Sequence, residues 1–100
     1  MLKTKRRPVS VGEMLKLEFL EPMGITSKAL ADAMGVHRNT VSALINGGVL
    51  TAPVAIKLAA ALGNTPEFWL NIQHAVALWD TRNQFAEAAR NVTPLLTNHV

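Results

Sequence analysis

TSKALADAMGVHRNTVSALING, residues 26–47, decides the fold. Thr26 is an N-cap by type, because its hydroxyl can accept from a first-turn amide. Ala29, Leu30, Ala33 and Met34 then recur at three and four, the spacing of one helical face. Gly35 stops this helix, since it takes the left-handed φ that other residues resist. A second apolar set follows at Val41, Leu44 and Ile45, closed by Gly47 or Gly48. Met34-Gly35-Val36 is too short a link for a relaxed antiparallel hairpin. A three- or four-residue turn with glycine crosses the two axes steeply, which is helix-turn-helix geometry. Ala31 is small where the helices would meet, and Val36, Val41 and Leu44 would pin the second onto the first.

Outward from this pair the same punctuation continues, and the chain reads as five helices with no strand. The first helix runs from about Ser10 to Glu21. Ser10 and Glu13 make a capping box, and Val11, Met14, Leu15 and Phe19 share a face. Pro22 and Gly24 end it. The fourth helix begins at Thr51, with Pro53 in its first turn, and stops at Gly63. The fifth opens on Thr65-Pro66-Glu67: a cap, a proline at the first position and an acid against the dipole. Its apolar set is Phe68, Trp69, Ile72, Val76 and Trp79, and the pattern carries as far as Ala89, before Pro94. The expected division is a basic arm over 1–9, a helical domain over 10–80, and a helical extension with a tail over 81–100.

Composition limits what such a chain can be. One hundred residues make one domain with a tail, and 49% hydrophobic residues suffice for one core. There is no cysteine, hence no disulfide and no thiolate metal site, as in a reducing cytosol. No apolar run approaches the roughly 20 residues of a membrane helix. No apolar stretch of a signal peptide follows the basic start, so the expected location is the cytoplasm. The net charge of +3 lies wholly in the first half: residues 1–50 hold seven basic and four acidic side chains, and residues 51–100 hold three of each. Lys3, Lys5, Arg6 and Arg7 crowd the start. That asymmetry suits a polyanionic partner, although a solvated tail has the same composition.

The polar side chains of residues 37–46 are the chemistry the core does not need. A helix held at a steep angle projects its first half outward, and the major groove of DNA, about 12 Å wide, admits it. Arg38 can bridge guanine O6 and N7, Asn39 can bridge adenine N6 and N7, and the methyl of Ala43 can meet a thymine methyl. Thr40, Ser42 and Asn46 have the reach for phosphate oxygens. Ser27, at the start of the preceding helix, adds amides that can hold another phosphate. Polar residues on the outside of a plain helical bundle are the simpler alternative.

Residues 26–47 resemble the helix-turn-helix of the phage-repressor-like (XRE) family. Over about residues 6–80, RRPVSVGEMLKLEFLEPMGIT and ALGNTPEFWLNIQHAVALW resemble the HigA antitoxins, with TPEFWLNIQ the most distinctive part. The resemblance implies an all-α, five-helix lambda-repressor-like bundle that binds double-stranded DNA as a homodimer. It implies a palindromic operator in the gene's own promoter and a HigB-type toxin, an mRNA-cleaving RNase, as the partner to be neutralised. Carried over by position, Arg38, Asn39, Ser42 and Ala43 read bases, and Ser27, Thr40 and Asn46 contact the backbone, with His37 beside them. The family usually has Gln at position 27, Ser at 37, and basic residues at 43 and after Asn46-Gly47. Here those are Ser27, His37, Ala43 and Gly48-Val49. Lys5, Arg6 and Arg7 are the expected replacement for the phosphate contacts this removes.

Trp69 reads as core. Trp79, with Val76 and Phe85, lies past the part a four-helix body can cover, so these three are the expected dimer contacts. His37, His74 and His99 show no metal-ligand spacing. No nucleophile, base and acid stand out together, so neither a metal, a cofactor nor an enzyme is expected. Glu13, Glu18 and Glu21 read as a solvated face. Two alternatives share the fold: a stand-alone dimeric repressor without a toxin, and a helical interaction module that never touches DNA.

Overall fold

The computed structural model describes residues 6–96, and among these there is no strand. Helix α1, residues 11–23, begins on the expected capping box. Ser10 Oγ accepts from the Glu13 N–H at 3.1 Å, and the Ser10 N–H donates to Glu13 Oε1 at 3.0 Å. Its middle departs from expectation. Val11–Met14 and Glu21–Met23 are α-helical, but Leu15–Leu20 is a π-helix. The extra residue in that turn lets Leu15 and Leu20, five apart, both be buried, at 0% and 5% exposed.

Helix α2 is Ser27–Met34, α3 is Arg38–Ile45, α4 is Ala52–Leu62 and α5 is Pro66–Arg82. Thr26 Oγ1 accepts from the Ala29 N–H, and Thr65 Oγ1 accepts from the Phe68 N–H, so both caps form as their residue types require. The core gathers Leu15, Leu30, Ala31, Val41, Leu44, Leu50, Leu58 and Trp69, all nearly or fully buried. Trp69 lies in it as expected. Its Nε1–H donates to Asn64 Oδ1 at 2.7 Å, and its ring meets Phe19 and Phe68 at centroid distances of 5.2 and 5.0 Å. One hydrogen bond and a ring cluster are what a buried indole needs.

The five-helix body ends sooner than the apolar pattern suggests. α5 stops at Arg82, a turn covers residues 83–85, and a short helix α6, Ala86–Arg90, follows. Beyond Trp79, among the described residues, no buried residue packs the helix on the core, and Arg7 meets it there at Asp80. Helical stability in proteins comes mostly from such packing, and Thr81 and Asn83 are weak helix formers. The Thr81 hydroxyl bonds back to the Ala77 carbonyl, a local alternative that loosens a helix. The molecule is elongated, 52 × 25 × 24 Å, with a radius of gyration of 17.1 Å. A compact chain of this length would have about 13 Å.

Candidate nucleic-acid interface

The turn between α2 and α3 is set by Gly35, whose φ of +71° is left-handed. The Gly35 N–H donates to Asp32 O and the Val36 N–H to Ala31 O, the paired bonds that close a helix end and reverse the chain. Ala31, 1% exposed, lies at the helix crossing, with Val41 at 0% and Leu44 at 3%. α3 is therefore fixed to α2 by the residues expected to fix it.

His37 caps α3, which its side chain did not promise. Its Nδ1 accepts from the Asn39 N–H at 3.0 Å. Beyond the cap, Arg38, Asn39, Ala43 and Asn46 are exposed, and Thr40 and Ser42 are half-buried. At about 100° per residue, positions 38, 42, 46, 39 and 43 fall within about 140° of arc, and Val41 and Leu44 point the other way. One face of α3 holds the core, and the other presents the polar residues.

The exit of α3 and the loop after it are held from behind by residues that the sequence pattern does not single out. Gly12 of α1 is buried against the exit of α3. A Cβ there would lie 2.5 Å from Ile45 O and 2.6 Å from Leu44 O. Only the missing side chain lets the two helices come this close. The exit itself repeats the glycine closure, with Gly47 at φ +96° and the Gly48 N–H on Ala43 O at 2.7 Å. The following loop is clamped by Gln73 of α5. Its Oε1 accepts from the Leu50 N–H at 2.6 Å, and its Nε2 donates to Leu50 O at 2.9 Å. A half-buried amide that satisfies one residue's whole backbone has no periodic signature, so only its type, Gln inside an apolar face, could have pointed to it.

Of the arm expected to reach phosphates, Arg7 is tied to the body. Arg7 makes a two-pronged pair with Asp80 of α5, Nε to Oδ1 at 2.8 Å and Nη2 to Oδ2 at 2.9 Å. The hydrogen bonds to Arg7 hold the Asp80 carboxyl below its ordinary range and raise the guanidinium in turn. Arg6 is exposed, and Lys5 lies outside the described residues. Ser27 is the first residue of α2 and is half-buried; beside it Lys28 pairs with Asp32 at 2.8 Å. Val76 and Trp79 are half-buried on α5, and Phe85 is 53% exposed. Val76 lines an open groove of about 460 Å³ that also touches Gly12, Leu44 and Gly48. Glu13, Glu18 and Glu21 are exposed, as a solvated face requires. No helix among the described residues is long and apolar enough to cross a membrane.

These features define a helix-turn-helix protein, and the family described as Helix-turn-helix, HTH_3, matches residues 16–70. The protein of Vibrio cholerae serotype O1 named antitoxin HigA-1 is 85% identical over 98% of this chain and 93% of its own length. The structure titled antitoxin GraA in complex with its operator is 38% identical, covers 97% of this chain and 100% of its own, and has a TM-score of 0.83. That of Pseudomonas aeruginosa antitoxin HigA with the higBA promoter is 30% identical over 90% of this chain and 100% of its own, with a TM-score of 0.80. The chain belongs to the HigA antitoxin family.

Proposed function

We propose that this antitoxin binds an operator upstream of its own gene as a symmetric dimer and neutralises an mRNA-cleaving toxin of the HigB kind. The carrying observation is the face of α3: Arg38, Asn39, Ala43 and Asn46 exposed on one side, Val41 and Leu44 buried on the other. On this reading Arg38 and Asn39 read bases, with Ser42 and Ala43 beside them. Ser27, His37, Thr40 and Asn46 fix the register on the backbone. Lys5 and Arg6 reach phosphates from an arm that Arg7 ties to α5. The relatives bound to operator and promoter DNA support this reading. A palindromic operator needs two recognition helices about 34 Å apart, one turn of DNA. Val76, Trp79 and Phe85 on the outer half of α5 and just past it are the surface that joins the two subunits, which the elongated shape of the single chain supports.

The test is a titration of a labelled duplex from the gene's own upstream region, read by fluorescence anisotropy. The protein binds it tightly and a scrambled duplex weakly, with affinity falling steeply as salt rises. Arg38→Ala costs about 1–3 kcal/mol and relaxes preference at one base pair. Unchanged operator affinity in Arg38→Ala removes the base-reading role, and no preference for the upstream region favours the interaction module. A small nuclease that co-purifies with the tagged chain supports the toxin partner, and its absence favours the stand-alone repressor.

A further inference from the structure

We infer that Asn46-Gly47, at the exit of α3, is a self-modification site: Asn46 deamidates to a carboxylate, and operator binding decays as a copy ages. The effect on operator binding rests on the reading of α3 proposed above; the chemistry does not. The Gly47 amide nitrogen, its proton lost to hydroxide, attacks Asn46 Cγ. The bond from Cγ to Nδ2 breaks, and ammonia leaves with a proton taken back from water. Water then opens the cyclic imide at either carbonyl, giving aspartate or isoaspartate. In sum a water enters and an ammonia departs, and nothing is oxidised or reduced.

The attack is hindered by a side chain on the following residue, and glycine has none. Of the asparagines in the sequence, Asn46 alone precedes a glycine. Asn39 and Asn71 lie inside α3 and α5, where the amide that follows is tied into the helix. Asn64 Oδ1 is held by the Trp69 indole. Asn46 is the C-cap of α3, with a ψ of 16° that leaves the helical run. Asn46, Gly47 and Gly48 are all exposed to water. Among the described residues no hydrogen bond holds the Asn46 side-chain amide. The Gly47 N–H reaches Leu44 O at 3.2 Å, the long end of the range for such a bond, so the attacking nitrogen is weakly held. Nothing lies within 4 Å of where a Gly47 Cβ would stand, so the peptide has room to turn onto Cγ. The new carboxylate stands on the polar face of α3, and residues 39–56 hold no charged side chain to offset it. Either product sets a negative charge against a phosphate backbone.

The test ages the full-length protein at neutral and at mildly alkaline pH. Each sample is digested for peptide mass spectrometry and titrated with the operator duplex by fluorescence anisotropy. The peptide holding Asn46 converts from amide to acid, faster at the higher pH, because the nitrogen must lose its proton. Operator binding falls in step with that conversion while the helical circular dichroism stays intact. Freshly made Asn46→Asp binds the operator about tenfold more weakly than wild type, the effect of one like charge at a phosphate contact. Asn46→Gln, whose longer side chain closes a ring far more slowly, keeps its initial affinity throughout. An Asn46 peptide that stays an amide, or converts no faster than those of Asn39 and Asn71, overturns the site. Undiminished affinity in Asn46→Asp, or an Asn46→Gln chain that decays as fast as wild type, overturns the decay of binding. Fresh wild-type protein that shows no preference for the operator overturns the reading of α3 itself and leaves the deamidation to be judged by the mass spectra.

Discussion

A single methyl group at position 12 would act on the recognition helix from behind. Gly12 faces the carbonyl oxygens that end α3, at distances no Cβ can share. Backbone cannot swing aside as a side-chain tip can, so Gly12→Ala must push α1 and α3 apart. The expected cost is about 1–3 kcal/mol of stability, read as a lowered denaturant midpoint, together with weaker operator binding. No pattern marks this glycine, because a close approach between distant segments leaves nothing periodic in the sequence. Gly35 was legible for the opposite reason: it ends an apolar run and begins another, so its conformation follows from local spacing. His37 lies between these cases. By type it is a poor cap, yet its Nδ1 does the work of a serine hydroxyl.

At the scale of elements, the helices with strong local signals appear where their caps place them. Ser10, Thr26 and Thr65 each accept the first-turn bond their type invites. What escaped was decided by packing at a distance: the π turn of α1, the early end of α5, and the clamp from α5 to the loop after α3. Gln73→Leu keeps the bulk of the clamp and removes both hydrogen bonds to Leu50. It is expected to cost about 1–3 kcal/mol through the backbone groups left unpaired, seen in thermal unfolding, and to weaken operator binding. Two acids tie the start of α1 into the fold. Bonds from the Ser10 backbone and hydroxyl hold Glu13 below its ordinary range, and Arg7 does the same to Asp80. Their contribution is complete at neutral pH and fades as the pH falls through the ordinary carboxylate range and below. Melting temperatures followed by circular dichroism should therefore drop below about pH 4. The drop should be shallower in Glu13→Gln with Asp80→Asn, and smaller in high salt, since both groups are exposed.

For the whole molecule, length and apolar content indicated one domain and the three-and-four spacing made it helical, as the folded chain is; the charge asymmetry left a polyanionic partner and a solvated tail level. α3 presents Arg38 on one surface, and the outer half of α5 carries the half-buried Val76 and Trp79 beside Asp80 and Arg82. Gln73 and the groove shared by Val76, Gly12 and Leu44 tie α5 to the exit of α3. In the dimer proposed above, the spacing of the two α3 helices is therefore set by how α5 pairs. Val76 and Trp79 were legible as the continuation of a helical face, and both lie half-buried on α5. Phe85 lies in the turn past Arg82, where the pattern had the helix run on.

The 52 Å length of the single chain also bears on its survival. A solitary copy leaves Phe85, Val92 and Leu95-Leu96 exposed past the end of α5, where a degrading enzyme can grip them before anything in the core has opened. In the dimer proposed above, lifetime then depends on company: each copy is shielded for as long as it has found another.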